Sequence, residues 1–291
     1  MKLKFQSLHP LFAAEIRDLD LREVRCPEVL TEIRDAMDRY GVLVFRDQPL
    51  TDADQLAFAE RFDGRLHTRT GIAVLTGNRF GNEALTDISN VDRDGGLLPR
   101  DDRRRQYGLA NRLWHTDASF EQPRGRYSML SAREVPPSGI ADTEFADMRA
   151  AYDALEPDVQ TELGGLRAHH SIAYSRQILG FEFSVEEGVR LEGAEQPLIN
   201  QNPRTGRRAL YLASHASKIC GWPLADGRLL LRDLTEHATQ PRFVYRHQWQ
   251  PRDFVIWDNL ATMHRARSFD DLKQRRELRR VTTLDVEFEP A

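Results

Sequence analysis

A histidine and an aspartate two positions apart are the first side chains in this sequence that could bind a metal ion. They lie in the segment Trp114-His115-Thr116-Asp117. In an extended strand, residues i and i+2 point to the same side of the backbone, so His115 and Asp117 can approach one ion together. A hydrogen-bonded surface pair is the alternative that this triplet leaves open when it is taken alone.

His264 supplies a third candidate ligand. It follows the apolar run 254–257 and a polar turn, from which a loop can bring it to the triplet. Two histidines and one carboxylate on one face of an octahedral ion form the ligand set of non-haem Fe(II) oxygenases. Three coordination positions then stay open for substrates and O2.

An arginine-rich segment leads into the last predicted strand, over 281–288. If that strand begins early, its period of two puts Arg275 and Arg279 on one face and Leu278 on the other. Guanidinium groups at a metal-bearing cavity would bind carboxylates through paired, charge-assisted hydrogen bonds. A charge run of this kind is otherwise usually a solvated face of the protein.

The elements that must position these side chains are visible in the hydrophobic pattern. Apolar residues recur at three-to-four spacing after Pro27, up to Gly41, and again after Thr51, which predicts two helices. Further helices are predicted over 147–155 and 229–237, and strands over 42–45, 127–132, 208–213, 243–249, 254–257 and 281–288. The periodicity fades over 63–113, so we expect a lid loop there. No linker divides the chain, and one domain over 1–291 is expected.

The composition excludes several classes of protein. With 41 Lys and Arg against 45 Asp and Glu, the formal net charge of −4 argues against nucleic acid as a partner. No apolar stretch could cross a bilayer and the start lacks a signal-peptide core, so we expect no membrane association and a cytoplasmic location. Two distant cysteines support neither a disulfide scaffold nor a zinc finger. Phosphate-loop, dinucleotide and nucleophile-elbow motifs are missing from the sequence.

The motifs together resemble the taurine dioxygenase and 2,4-dichlorophenoxyacetate dioxygenase family of Fe(II)/2-oxoglutarate-dependent oxygenases. The resemblance extends over nearly the whole chain and is closest to the phenoxyacetate-degrading branch. The segments that carry it are 8–14, 18–22, 41–48, 87–91, 114–117, 126–132, 142–148, 257–265 and 275–284.

This resemblance implies a mostly β fold with flanking helices, a double-stranded β-helix (jelly roll), with iron bound by His115, Asp117 and His264. 2-Oxoglutarate is the implied cosubstrate and O2 the oxidant. By the family's spacing, Arg275 and Thr143 hold the distal carboxylate of 2-oxoglutarate. The implied substrate-binding residues are Arg279 and Asn111. A basic residue of the lid, Arg69 or His67, is a further candidate for a carboxylate contact, and a solvated loop charge is the alternative.

One departure from the family pattern lies next to Thr143. Relatives commonly have two glycines before the Asp-Thr pair, whereas this chain has Ile140 and Ala141 there. Since only glycine takes a positive φ freely, the backbone conformation and the cosubstrate contact of Thr143 stay open at this point. Ordinary turn and strand hydrogen bonding is the alternative role for Asn111 and Thr143.

The implied reaction is the hydroxylation of an aryloxyalkanoate herbicide at the carbon between the ether oxygen and the carboxylate. The products are a phenol, an oxo acid such as glyoxylate, succinate and CO2, and Phe120 and Trp114 are candidates for the aryl pocket, with core packing the alternative for Trp114. The expected partner is a small acidic molecule. Two alternatives remain: the same iron chemistry on an alkylsulfonate or another carboxylate, and a non-catalytic jelly-roll protein that binds metal and acid. The sequence leaves the oligomeric state open, a homo-oligomer included.

Overall fold

The computed structural model describes residues 2–68, 79–189 and 191–286. The strands in these ranges are β1 Lys4–Ser7, β2 Ala14–Arg17, β3 Val42–Phe45, β4 Thr86–Ser89, β5 Gly125–Glu134, β6 Thr143–Asp147, β7 Arg167–His170, β8 Ala194–Pro197, β9 Ile199–Gln201, β10 Arg208–Leu210, β11 Ala216–Ile219, β12 Val244–His247, β13 Phe254–Asp258, β14 Thr262–Ala266 and β15 Glu277–Leu284. The helices are α1 Pro27–Tyr40, α2 Asp52–Asp63, α3 Arg103–Gly108, α4 Met148–Asp153, α5 Pro157–Leu163, α6 Ile172–Gln177, α7 Val185–Val189 and α8 Leu224–Ala238, with 3₁₀ helices at Leu109–Arg112 and Pro241–Phe243.

Two facing sheets form the centre of the protein. A seven-stranded sheet has the order β1-β2-β3-β13-β5-β15-β4, and a three-stranded sheet has the order β12-β6-β14. Along β3, Leu43 and Phe45 join the core beneath α1 and α2, while Val42 and Val44 pack in the core that contains Phe145 of the smaller sheet. Both faces of the large sheet are therefore buried, which explains the continuous apolar runs. The jelly roll with flanking helices expected from the sequence is confirmed.

Several boundaries follow directly from local sequence. Helix α1 begins at Pro27 and ends before Gly41, whose φ is 68°. Helix α2 begins with a capping box between Thr51 and Asp54, as the sequence indicated. Helix α8 is longer than predicted because it begins directly after Pro223, and β10 is shorter than predicted because its pairing with β9 ends at Leu210.

The segment predicted as one long loop contains regular structure. Strand β4 pairs with β15 at the edge of the large sheet, and α3 and a 3₁₀ helix precede His115. A polar four-residue edge strand carries too little hydrophobic alternation to be recognised in the sequence. Residues 69–78 lie outside the described part of the chain, and the lid role of 63–113 remains a prediction.

A third sheet and the longest helix form a separate core. The sheet has the order β11-β7-β8, and helix α8 packs on it through Leu231 and Leu234. Met263 of β14 belongs to the same core, so this unit supports the strand that carries His264. Among the helices of the described ranges, none is long and apolar enough to cross a membrane.

The backbone before Thr143 has the positive φ that only glycine adopts freely, although the residue there is an alanine. Ala141 has a φ of 60° and is buried, so an alanine occupies a left-handed backbone position. A left-handed alanine costs about 1–2 kcal/mol relative to an ordinary conformation. Strand β6 still begins at Thr143 and pairs with both β12 and β14. The substitution therefore leaves the strand that carries Thr143 in register.

Ala141→Val is expected to lower the free energy of unfolding by about 2–4 kcal/mol, because a β-branched side chain is strained at positive φ and overpacks a buried site. Ala141→Gly is the matched control. Its relief of about 1 kcal/mol of strain is offset by the loss of about 0.8 kcal/mol from one buried methyl group, so stability should hardly change. Urea unfolding of the three proteins measures both effects. Equal stability of the valine variant would contradict the left-handed conformation.

Candidate metal centre and its cavity

Two backbone hydrogen bonds bring the two candidate histidine ligands together. The amide of His115 donates to the carbonyl of His264 at 2.9 Å, and the amide of His264 donates to the carbonyl of His115 at 2.8 Å. The imidazole ring centroids are 4.2 Å apart. His115 pairs with His264 of β14 as an isolated bridge, and a turn follows at Ala118, where φ is 53°. The extended strand considered for His115 and Asp117 is therefore limited to this one bridge.

Asp117 completes a cluster with the two histidines. Its Oδ1 lies 3.9 Å from Nε2 of His115, and its Oδ2 lies 3.6 Å from Nε2 of His264. One nitrogen or oxygen from each residue lies within 4.8 Å of the others, and all three residues are buried. The structure thus brings together the three residues that the sequence proposed as metal ligands, and two imidazoles with one carboxylate suit a divalent transition metal.

Neighbouring groups orient the ligand atoms. Nδ1 of His115 lies 2.8 Å from the carbonyl oxygen of Leu113. Because a carbonyl oxygen only accepts hydrogen bonds, Nδ1 carries the proton and Nε2 keeps its lone pair for a metal. The hydroxyl of Ser128 donates to Oδ2 of Asp117 at 2.8 Å and fixes the rotation of that carboxylate.

Asn259 joins these groups into a network that the sequence did not reveal. Its Oδ1 accepts from the backbone amide of Asp117 and from Nε1 of Trp257, both at 3.0 Å. Its Nδ2 donates to the hydroxyl of Ser128 at 2.9 Å. The signal that could have identified Asn259 is its position directly after the buried strand β13, within a segment that carried the family resemblance. Ser128 also lies in such a segment, 126–132, but its place near the cluster depends on the pairing of β5 with β13.

Burial controls the protonation of the three ligands. Burial lowers the pKa of His115 to about 4 against the opposing charge of Asp117, and lowers the pKa of His264 well below its usual value. For Asp117, burial raises the pKa, but the positive charges of Arg280 and the two histidines outweigh burial and bring the pKa to about 2. All three ligand atoms are therefore free of protons at neutral pH.

Metal affinity of the metal-free protein is expected to stay nearly constant between pH 8 and pH 5.5. Protons compete with a metal only below the pKa of a ligand, and burial lowers the pKa of His115 to about 4 and that of His264 well below its usual value. Isothermal titration with Mn(II) across this range measures the dependence. A decline beginning near pH 6.5, at about tenfold per unit for each histidine, would show that the imidazoles have ordinary pKa values.

Arg276 and Arg280 reach the cavity beside the cluster, whereas the sequence analysis assigned Arg275 and Arg279 to it. The predicted alternation is present, since Arg275 and Arg279 share one face of the strand and Leu278 occupies the other. The cavity, however, lies on the face of Leu278. The two arginines that line the cavity are thus each one residue further along the chain than predicted. Alternation alone does not indicate which face of a strand meets the metal site.

Arg275 and Arg279 belong to a charged network on the opposite face. Arg275 forms ion pairs with Glu134 at 2.8 Å and with Glu277 at 3.0 Å. Arg279 pairs with Glu277 at 2.8 Å, and its guanidinium stacks 3.8 Å from the ring centroid of Phe80. Both charges are satisfied within the protein, and neither residue lines the cavity.

Arg276 is a buried cation with few partners. Its Nη2 lies 3.5 Å from Oγ1 of Thr143, and its Nε has no hydrogen-bond partner among the described residues. Burial lowers its pKa to about 10, against the opposing charge of Asp142, so the guanidinium stays protonated at neutral pH. The side-chain carbonyl of Asn90 accepts a 2.8 Å hydrogen bond from the backbone amide of Arg276 and holds the start of β15.

The cluster opens into a cavity of about 630 Å³. Thr143, Asn111, His67 and Phe120 line it, as do the three cluster residues. Arg69 lies outside the described residues. Trp114 packs instead in the core of the third sheet, consistent with the packing alternative.

The chain matches the family described as the taurine catabolism dioxygenase TauD, TfdA family over residues 4–282. It belongs to that family. An α-ketoglutarate-dependent 2,4-dichlorophenoxyacetate dioxygenase from Cupriavidus pinatubonensis is 49% identical, over 98% of this chain and 99% of the relative. A dioxygenase of the same description from a Burkholderia species is 47% identical, over 98% of this chain and 95% of the relative.

A solved relative has the same fold as this TauD/TfdA-family chain. The crystal structure of AAD-2 in complex with Mn(II) and N-oxalylglycine superimposes with a TM-score of 0.94 at 43% identity, covering 99% of both chains. N-oxalylglycine is a diacid with the skeleton of 2-oxoglutarate, in which a nitrogen replaces one carbon. This chain is accordingly a 2-oxoglutarate-dependent dioxygenase of the family, with Fe(II) and O2 as its further requirements.

Proposed function

We propose that this dioxygenase hydroxylates aryloxyalkanoates at the carbon between the ether oxygen and the carboxylate. The observation that carries the proposal is the buried cluster of His115, Asp117 and His264, which opens into the same cavity as the nearly unpartnered Arg276. The substrate class is supported by two relatives, 49% and 47% identical, that are described as 2,4-dichlorophenoxyacetate dioxygenases. A small acidic partner and a cytoplasmic location are part of this proposal.

The three cluster residues would hold the metal through Nε2 of His115, Nε2 of His264 and one oxygen of Asp117. Bound there, Fe(II) supplies the chemistry that couples oxidative decarboxylation of 2-oxoglutarate to oxidation of a second substrate by O2. The protein contributes three deprotonated ligand atoms on one side and leaves the cavity side open. Ser128 and Asn259 hold the carboxylate in one orientation, which keeps the open side directed at the cavity.

Arg276 and Thr143 would bind the distal carboxylate of 2-oxoglutarate. The oxygen of Thr143 accepts from Nε1 of Trp249 at 2.9 Å and from Arg276 at 3.5 Å, so the hydroxyl proton is left to donate into the cavity. A carboxylate there receives this proton and the guanidinium hydrogens of a buried cation. Arg276 thus takes the role that the family spacing had assigned to Arg275.

Arg280 lines the cavity, where Arg279 had been expected as a substrate-binding residue. Its Nη1 is in direct contact with Oδ1 of Asp117, so its charge acts on the ligand carboxylate. We propose that Arg280 also attracts the carboxylate of 2-oxoglutarate that lies next to the metal. The two ends of the cosubstrate would then be bound by two arginines of one strand face, four residues apart.

The aryl group has an apolar wall in the same cavity. Tyr107 and Ile172 are buried in a small cluster, and Phe120 packs against it. All three line the cavity on the side of helix α6. Hydroxylation between the ether oxygen and the carboxylate yields an unstable hemiacetal. For an aryloxyacetate the balance is one O2 and one 2-oxoglutarate consumed, with phenol, glyoxylate, succinate and CO2 formed.

Oxygen uptake with Fe(II), ascorbate and 2-oxoglutarate tests this function. Phenoxyacetate is expected to stimulate uptake and to release phenol and succinate in equal amounts, and His264→Ala is expected to remove both activities because a metal ligand is lost. Stimulation by taurine alone would move the substrate to the alkylsulfonates. Absence of turnover with every acid, or normal turnover in His264→Ala, would refute the enzymatic assignment.

Arg276→Gln is expected to raise the KM for 2-oxoglutarate by about 10- to 100-fold, because hydrogen bonds to a charged group contribute about 1.5–3 kcal/mol. Arg275→Gln is the matched control, since it removes the same charge one residue away and on the face that does not line the cavity. Its KM should stay within about twofold of the wild-type value. The opposite ranking of these neighbours in steady-state assays would restore Arg275 as the cosubstrate ligand.

A further inference from the structure

We propose that Arg176 of helix α6 binds the carboxylate of the aryloxyalkanoate and thereby determines the preference for acidic substrates. This inference rests on the proposed function, because it identifies a residue for the acid group of that substrate. It concerns a side chain that the sequence analysis did not single out and that lies outside the arginine-rich segment before β15.

Among the residues that the structure describes, the guanidinium of Arg176 has only neutral partners. Its side chain is buried, with 5% of the residue surface exposed. Nη1 donates to Oγ of Ser175 at 2.8 Å, and Nη2 donates to Oδ1 of Asn111 at 3.4 Å. Nε has no hydrogen-bond partner in the described ranges, and no carboxylate there forms an ion pair with this guanidinium. A buried charge without a counter-ion costs several kcal/mol, which an anion entering the cavity would offset.

Ser175 cannot neutralise this charge and instead links it to the metal cluster. The hydroxyl of Ser175 donates to the carbonyl of Ile172 at 2.8 Å. Its oxygen is therefore an acceptor for both Arg176 and Nδ1 of His215, which lies 2.9 Å away. The ring of His215 contacts that of His115 at a centroid distance of 5.9 Å. Arg176 thus lies just beyond a histidine that touches a metal ligand.

The surroundings of Arg176 suit an aryloxyalkanoate. Its guanidinium stacks 4.5 Å from the ring centroid of Tyr107, which orients the planar fork, and both residues line the cavity. The apolar cluster of Tyr107, Ile172 and Phe181, with Phe120 packed against it, is next to this cation. The acid group and the aromatic ring of an aryloxyacetate are separated by two atoms, the ether oxygen and one carbon, and would find complementary surfaces side by side.

Of the described arginines that line the cavity, only Arg176 and Arg276 are buried, and the cosubstrate would use Arg276. Arg276 and Arg280 match the two carboxylates of 2-oxoglutarate, and Arg280 already contacts Asp117. Arg176 is left for a third carboxylate, which the prime substrate supplies. In an aryloxyacetate the carboxylate carbon is bonded directly to the carbon that is oxidised. Binding at Arg176 would therefore orient the reacting C–H bond, and an error of about 1 Å there costs on the order of 100-fold in rate.

Calorimetric titration of phenoxyacetate and its neutral analogue phenoxyacetamide tests this assignment without turnover. The protein is loaded with Mn(II) and N-oxalylglycine, and the ratio of the two affinities is compared between the wild type and Arg176→Gln. The wild type should prefer the acid by at least tenfold. Arg176→Gln should reduce this preference by about 10- to 100-fold, the range for hydrogen bonds to a charged group, and leave the affinity for the amide within about threefold.

Arg103→Gln is the matched control. Arg103 also lines the cavity and stacks on Phe181, but it is half exposed and paired with Glu187 at 2.6 Å. Loss of this screened charge should leave the preference for the acid unchanged. The affinity for N-oxalylglycine should be the same in the wild type, Arg103→Gln and Arg176→Gln, which separates an effect on the prime substrate from an effect on the cosubstrate site.

An unchanged preference for phenoxyacetate over phenoxyacetamide in Arg176→Gln would overturn the assignment. If only Arg280→Gln loses this preference, Arg280 is the residue that binds the acid group. If Arg176→Gln does not fold, Arg176→Lys decides. A compact ammonium makes no bidentate contact, so the preference should fall several-fold, and full retention would refute the proposal. Wild-type protein that binds neither ligand would refute the substrate class as well, whereas binding that is indifferent to residue 176 would refute only this inference.

Discussion

The reciprocal backbone pairing of His115 with His264 is the constraint on which the active centre depends. It joins two segments that are distant in the chain and sets the imidazoles 4.2 Å apart, so that Asp117, two residues later, turns into the same space. Strand β14 can offer His264 there because β6 pairs along its full length. The backbone amide of Asp117 donates to Asn259, and its carboxylate accepts from Ser128, and these contacts hold it beside the histidines. The two backbone hydrogen bonds between the histidines therefore bring the three ligand residues close enough together to bind one metal ion.

Burial gives this centre its chemical character. It lowers the pKa values of both histidines, and the neighbouring positive charges keep Asp117 ionised. The same burial makes the cavity electrostatically incomplete, since Arg276 has no anionic partner among the described residues that contact it. Such a site is stabilised by ligands that carry carboxylates, because they replace the lost hydration of the guanidinium. Desolvation of the cavity thus has two effects: it keeps the histidine ligands free of protons for a metal, and it favours the binding of acids by the arginine.

The arginine-rich segment 275–280 shows what the alternation of side chains along a strand predicts and what it leaves undecided. Alternation correctly grouped Arg275 with Arg279 and separated both from Leu278, yet the cavity lies on the side of Leu278. A strand buried on both faces contains no local signal that distinguishes them, and a shift of one residue exchanges every side chain. Here the orientation is set by the pairing of β15 with β5 on one side, and on the other by its pairing with β4, after which Asn90 binds the backbone amide of Arg276. Strand β4 lay in a segment whose sequence indicated only a loop.

By itself the sequence determined the ligand types, the resemblance to the family, the first two helices with their caps and the buried strands, because these features depend on residue chemistry and on contacts close in the chain. Tertiary structure alone decided that Arg276 faces the cavity, that Ser128 and Asn259 orient the carboxylate, and that Arg176 has no counter-ion among the described residues. Each of these depends on which distant strands and helices meet. Burial and charge pairing are properties of such encounters, so no local pattern encodes them.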